Sequence, residues 1–183
     1  MENGQHIIDE ISRLNKKADQ TRSMHSAIMQ KLKRWQVLLT LYVTIGSATT
    51  AMLTFVQLEH LSFIIIGCLS ASIFITGLLP SALDLSKKIT ERDVAIKLWG
   101  NWIRDAQNFT NIRIKELNLE EAVKQEEKLI ETYKEVINTT IDIPDRLFLK
   151  LKQRHKQKVA ISIELDKNPF ESLKSIKKRL KSG

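Results

Sequence analysis

The chain has 183 residues, 43% of them hydrophobic and 27% charged, with a net charge of +8. Its single cysteine, Cys68, excludes a disulfide framework within the chain and any Cys-based zinc site. The placement of charge also rules out a plain soluble globule as the leading reading, with a buried soluble helical hairpin as the alternative. No Asp, Glu, Lys, Arg or His falls between Trp35 and Leu58 or between Leu61 and Leu83, and only Glu59 and His60 part the two runs. Apolar runs of about 20 residues match the hydrocarbon core of a bilayer.

In chain order, residues 1–34 are predicted to form an N-terminal helix. Ile7, Ile11, Leu14, Ala18, Thr21, His25, Ile28 and Leu32 alternate spacings of four and three, the pattern of a helix packing along another helix. That stripe serves equally for packing on the chain's own helices or for self-association, and its polar members Thr21 and His25 weaken its lower part.

Residues 35–58 form the first predicted transmembrane helix, residues 59–60 an extracytoplasmic turn, and residues 61–83 the second transmembrane helix. The first run is the more polar, with five threonines, Ser47 and Gln57. The second is nearly continuous hydrocarbon, with Phe63-Ile64-Ile65-Ile66 and Ile73-Phe74-Ile75. Trp35 lies too far from the N-terminus for a signal peptide, and a second run follows at once. Lys31, Lys33 and Arg34 precede the first run, and Lys87, Lys88 and Arg92 follow the second, while the turn has no Lys or Arg. The positive-inside rule therefore predicts a multi-pass membrane protein with both termini cytoplasmic, Glu59 and His60 outside, and Trp35 and Tyr42 near the inner interface. Pro80 falls in the last turn of the second helix, where a distortion is tolerable.

Residues 84–143 are predicted to be cytoplasmic amphipathic helices. A long helix is expected from about Ser81 to Lys115, with Ile89, Ile96, Trp99, Ile103 and Ala106 on one apolar line and Ala95, Leu98, Trp102 and Phe109 on its neighbour. Trp99, Trp102, Ile103 and Phe109 are assigned to packing between these helices. Asn118 with Glu121 three residues later is a capping-box start for a second helix reaching about Asn138. With the N-terminal helix these complete a helical bundle.

Residues 144–183 form a basic segment, twelve basic groups against four acidic ones, so the excess charge of the whole chain equals that of its last forty residues. Pro144 suits the first position of a new helix. Val159 to Leu165 alternates like a short strand, but helix is favoured because no partner strand is evident. After Asn168-Pro169, the residues Phe170, Leu173, Ile176 and Leu180 share one face, among Lys174, Lys177, Lys178, Arg179 and Lys181. This is the pattern of a membrane-surface helix, and it serves equally for a solvated tail. Lys33, Arg34, Lys87, Lys88, Lys177, Lys178 and Arg179 make up the expected lipid-facing basic set.

The first transmembrane run carries the feature most telling of function. Thr40, Thr44, Ser47, Ala51 and Thr54 recur at four, three, four and three, so they share one helical face, which Gly46, Thr50 and Gln57 widen. In lipid, helices associate through small residues and side-chain hydrogen bonds, so such a face seeks another helix. It serves either oligomer assembly and pore lining or packing within the hairpin. The second run has Gly67 with Ala71 and Gly77 with Ser81. Cys68 is expected to be a small packing residue. No charged group sits within either run, so a dedicated proton relay is not expected. Phosphate-binding, nucleophile-elbow and metal-ligand signatures are absent, so neither an enzyme nor a cofactor nor a metal is expected. Nucleic acid is not an expected partner, because no aromatic-interleaved basic module is present.

The layout also resembles a known family. Lys31-Leu32-Lys33-Arg34-Trp35 opens a tight two-span hairpin, and Lys87-Lys88-Ile89-Thr90-Glu91 leaves it. Tyr133-Lys134-Glu135-Val136-Ile137-Asn138-Thr139-Thr140-Ile141-Asp142-Ile143-Pro144 follows near the end. Over roughly residues 5–170 this is similar to the SLATT superfamily, two-span effector domains found beside nucleotide-signalling and reverse-transcriptase genes in prokaryotes. The resemblance implies a membrane effector of antiviral defence and abortive infection, which permeabilises the inner membrane when an upstream sensor protein or a cyclic nucleotide signal triggers it. It implies no catalytic residues. The expectation is thus an all-α, homo-oligomeric integral membrane protein with membrane lipid as partner. The alternative is a membrane anchor or adaptor whose cytoplasmic helices bind a partner protein.

Overall fold

The structure is a computed structural model that describes residues 2–55, 61–111, 117–167 and 175–176. All regular structure among them is helical: α1 (Glu2–Phe55), α2 (Leu61–Ala82), α3 (Leu85–Asn111), α4 (Leu119–Thr139) and α5 (Asp145–Lys167). Thus Val159 to Leu165 belongs to a helix and not to a strand.

The predicted N-terminal helix and first transmembrane helix are one element of 54 residues. No Gly or Pro interrupts the sequence from Gln5 to Ile45, so nothing breaks the i→i−4 ladder where composition changes from charged to apolar. At about 1.5 Å per residue the helix is about 80 Å long.

The long helix expected from Ser81 begins later. Leu83 and Asp84 form a turn, with the Asp84 backbone left-handed at φ 49°. Asp tolerates that conformation better than most residues. The turn ends α2 through Leu83 N–H to the Leu79 carbonyl at 2.9 Å and Asp84 N–H to that of Ser81 at 3.0 Å. It starts α3 through Lys88 N–H to the Asp84 carbonyl at 2.9 Å. The expected end near Lys115 lies outside the described residues.

The chain divides into two compact units, residues 1–27 with 95–183, and residues 28–94. The first, the bundle, is built on a core shared by α1, α3 and α4. Ile7, Ile11, Leu14 and Ala18 of α1 meet Trp99, Trp102, Ile103, Ala106 and Phe109 of α3 and Ala122, Leu129 and Val136 of α4. The N-terminal stripe is therefore consumed by the chain's own helices in its upper half, which leaves those residues unavailable for self-association. His25, expected to weaken that stripe, is instead buried at 1% exposure.

The tryptophans organise this core. The Trp102 indole N–H donates to the Leu129 carbonyl at 2.9 Å. Both indoles meet the Tyr133 ring edge-on, at 5.3 Å for Trp99 and 5.0 Å for Trp102. That geometry suits the aromatic quadrupole. Burial raises the Tyr133 phenol above its ordinary range. The Trp99 indole N–H, equally buried, has no hydrogen-bond partner among the described residues.

α4 opens as its sequence dictates. The Asn118 side chain accepts from the Glu121 N–H at 2.9 Å, and the Glu121 carboxylate accepts from the Asn118 N–H at 3.4 Å. Pro144 sits one position earlier than expected, as the residue before α5. Its carbonyl accepts from the N–H groups of Leu147 and Phe148 at 2.9 and 2.8 Å. α5 buries none of its own residues fully.

Candidate assembly face of the apolar hairpin

The second unit holds the two apolar stretches. α1 and α2 run antiparallel here, and their contact face can be read residue by residue. On α1 the partly buried residues of the apolar stretch are Gln36, Leu39, Val43, Gly46, Thr50 and Leu53, and on α2 they are Ile66, Leu69, Ser72, Ile73, Thr76 and Pro80. Both sets step by threes and fours, as ridges of closely aligned helices do.

Gly46 sets the closest approach. A Cβ built there would lie 2.9 Å from both Cγ1 and Cδ1 of Ile73. Gly77 faces Val43 more loosely, at 3.9 Å from Val43 Cγ2, and Gly67 faces open space. The Tyr42 hydroxyl and the Ser72 hydroxyl hydrogen-bond across the pair at 2.8 Å. Tyr42 thus has a cross-hairpin role that its assignment to the membrane interface missed. Ser72 was missed altogether, because a lone serine in a hydrophobic run carries no periodic signal.

The polar stripe is not the packing face. Thr40, Thr44, Ser47, Ala51 and Thr54 are all exposed. They sit one residue on from Leu39, Val43, Gly46, Thr50 and Leu53, which is about 100° around the helix. Thr50 and Gly46, expected to widen the stripe, belong to the hairpin contact instead. Gln57 lies outside the described residues.

The hydroxyls divide in the same way. Thr40 donates to the Gln36 carbonyl at 2.9 Å, Thr50 to Gly46 at 2.9 Å and Thr54 to Thr50 at 2.8 Å. Each is satisfied inside its own helix. The hydroxyls of Thr44 and Ser47, at the middle of the stripe, donate to nothing among the described residues. Cys68 is exposed, so it is not a packing residue of the hairpin as expected.

The remaining surface of the hairpin is hydrocarbon. Trp35, Leu38, Ile45, Met52, Ile64, Phe74 and Ile75 are all at least half exposed. Both helices are long and apolar enough to cross a membrane, and none of the most apolar stretch of either is buried. A core helix of a soluble protein would be mostly buried, so composition and exposure agree.

The basic set divides between described and undescribed residues. Lys33, Arg34, Lys87 and Lys88 are exposed. Lys177, Lys178 and Arg179 lie outside the described residues, as do Phe170, Leu173 and Leu180. Ile176 is described, and it is buried at 0% exposure. It is therefore covered by the chain itself, which corrects its assignment to a lipid-facing row. Trp99, Trp102, Ile103 and Phe109 all lie in the bundle core. Comparison of the chain with family models, with curated proteins and with solved structures gives no significant match.

Proposed function

We propose that this chain is an integral membrane protein that self-associates through the exposed polar stripe of α1 and permeabilises the bilayer in its assembled state. The observation that carries this reading is the mismatch between stripe and hairpin contact. A row of hydroxyl and small side chains in an otherwise hydrocarbon surface is not used within the chain, and its two central hydroxyls are unpaired. In a bilayer such groups gain by meeting another helix or water. A two-helix hairpin encloses no pore alone, so several copies must contribute. Identical copies present identical stripes. The resting state is closed, and release from it is the regulated step.

The positive residues flanking both apolar stretches support an orientation with the bundle in the cytoplasm. The setting suggested by the resemblance is an effector of prokaryotic antiviral defence in the inner membrane, triggered by an upstream sensor protein or a nucleotide signal. Thr44→Leu and Ser47→Leu test the reading in cells carrying a dye excluded by intact inner membranes and a potential-sensitive dye. Both substitutions are expected to abolish triggered depolarisation while leaving expression and insertion unchanged. Undiminished depolarisation in both variants removes the stripe from the mechanism.

A second reading, an adaptor, draws on α4. Leu119, Val123 and Ile137 are 51%, 40% and 45% exposed along one flank of that helix. Under it, Val123→Lys abolishes capture of a partner protein, while the stripe tolerates leucine.

A further inference from the structure

The bundle contains a cleft of about 680 Å³ between α1, α3 and α5. That volume lies within the range of small-molecule sites, roughly 300–1,000 Å³. Three independent features converge on it. The first is apolar: Ile103 of α3 faces Val159, Ala160 and Ile163 of α5 across the space. Val159 and Ile163 nevertheless remain 42% and 48% exposed, and no residue of α5 is fully buried. The helix covers part of its hydrocarbon against the bundle but leaves Val159 and Ile163 exposed.

The second feature is charge. Lys16 on α1 and Lys156 on α5 both line the cleft, and neither has an ion pair among the described residues. Among the described residues lining the space the one acidic group is Asp19, and its carboxylate lies 3.9 Å from His155 Nε2. The cleft is therefore net positive, with a cation on each of two facing helices.

The third feature is unsatisfied polarity. Asn15 and Gln20 line the cleft, and Oδ1 of the one and Nε2 of the other are buried without a hydrogen-bond partner among the described residues. Buried polar atoms are almost always paired.

We propose that this cleft binds a small organic anion with an apolar body, and that the bound anion clamps α5 onto α1 and α3. A simple inorganic anion neutralises the lysines but leaves the hydrocarbon of α5 uncovered. A neutral hydrocarbon covers α5 but leaves two cations and the Gln20 amide N–H unmatched. A molecule with both parts answers the charge and the hydrocarbon, its anionic group can accept from the Gln20 amide N–H, and it bridges α5 to α1 and α3. The site lies wholly in the bundle, so it stands whether or not the hairpin forms a pore.

The test uses the full chain in lipid nanodiscs, with Cys68→Ala and a reporter thiol from Ile163→Cys. The probe is 1-naphthyl phosphate, with 1-naphthol and inorganic phosphate as its two halves. Saturating 1-naphthyl phosphate is expected to slow thiol labelling by a soluble maleimide about tenfold, and Lys16→Met and Lys156→Met each to raise the half-protecting concentration about tenfold. Ala160→Trp, which fills the cleft, is expected to abolish protection at unchanged helical circular dichroism. A second reporter, Val159→Cys, must agree. Octanoate and adenosine monophosphate then separate a lipid-derived acid from a nucleotide as the source. The proposal is overturned by absence of protection in both reporters, by equal protection from either half-probe, by protection that survives Ala160→Trp, or by failure of both octanoate and adenosine monophosphate.

Discussion

Trp102, in the bundle, is 1% exposed, while Trp35, in the hairpin, is 54% exposed. Trp99 is 2% exposed and Phe74 is 68%. The two units draw on the same residue types and treat them oppositely. In the bundle, apolar faces of α1, α3 and α4 meet in a shared core, as burial from water requires. In the hairpin, hydrocarbon surrounds both helices and only one ridge of each is covered. There small and polar residues join aliphatic ones in the contact, through Gly46 against Ile73 and Tyr42 to Ser72. Water as solvent selects the first arrangement. The proposed membrane setting accounts for the second, since lipid tails are as apolar as leucine and only close approach or hydrogen bonding favours one helix over lipid.

The contrast can be broken most strongly in the bundle. Trp102→Ala removes a buried indole and its hydrogen bond to Leu129, and is expected to cost about 3–5 kcal/mol. Urea unfolding of the full chain followed by circular dichroism measures this. Trp99→Phe is expected to cost clearly less than Trp102→Phe, by about 1–2 kcal/mol, because the Trp99 N–H is already unpaired. Equal costs would mean that the Leu129 hydrogen bond adds nothing.

Next in size is the hairpin contact. Gly46→Leu drives a side chain into Ile73 and is expected to cost about 1–3 kcal/mol of hairpin packing. Ile73→Ala in the same chain is expected to restore part of it, read as recovered protection of the α1–α2 contact in hydrogen exchange. Leucine at exposed Thr44 is expected to leave that protection unchanged. Asn118→Ala removes one half of the capping box and is expected to cost about 1 kcal/mol.

The smallest effect is a pH dependence. Burial, with Glu10 and Glu127 adding to it and His6 opposing it, raises the Glu126 carboxyl above its ordinary range. A carboxyl raised by folding favours the folded state only while protonated, and that contribution is lost as pH rises through the raised value. Glu126→Gln is therefore expected to stabilise the bundle at neutral pH. The gain should vanish below about pH 4, where the unfolded chain is protonated too.

Much of this was legible in the sequence, for identifiable reasons. The capping box at Asn118 and Glu121, the core lines through Trp99 and Trp102, and the two apolar stretches all follow from local spacing. The fusion of the N-terminal segment with the first stretch was missed because the change in composition at Trp35 looked like a boundary, whereas backbone continuity depends only on the lack of Gly and Pro. The start of α3 was missed because a left-handed Asp84 leaves no mark that Gly would. The rotation between polar stripe and hairpin contact was also hidden. A small-residue face and a packing face share one period, and only the register with α2, set by Gly46 and Ile73, separates them.

The central claim is that the stripe is free for other copies while the neighbouring ridge is not. Single cysteines in a Cys68→Ala background, cross-linked in native membranes with a short bis-maleimide, test it most directly. Cysteine at Thr44, Ser47 or Ala51 is expected to give cross-linked oligomers, while cysteine at Val43, Thr50 or Leu53 stays monomeric. Equal cross-linking from both faces, or none from the stripe, would contradict the account.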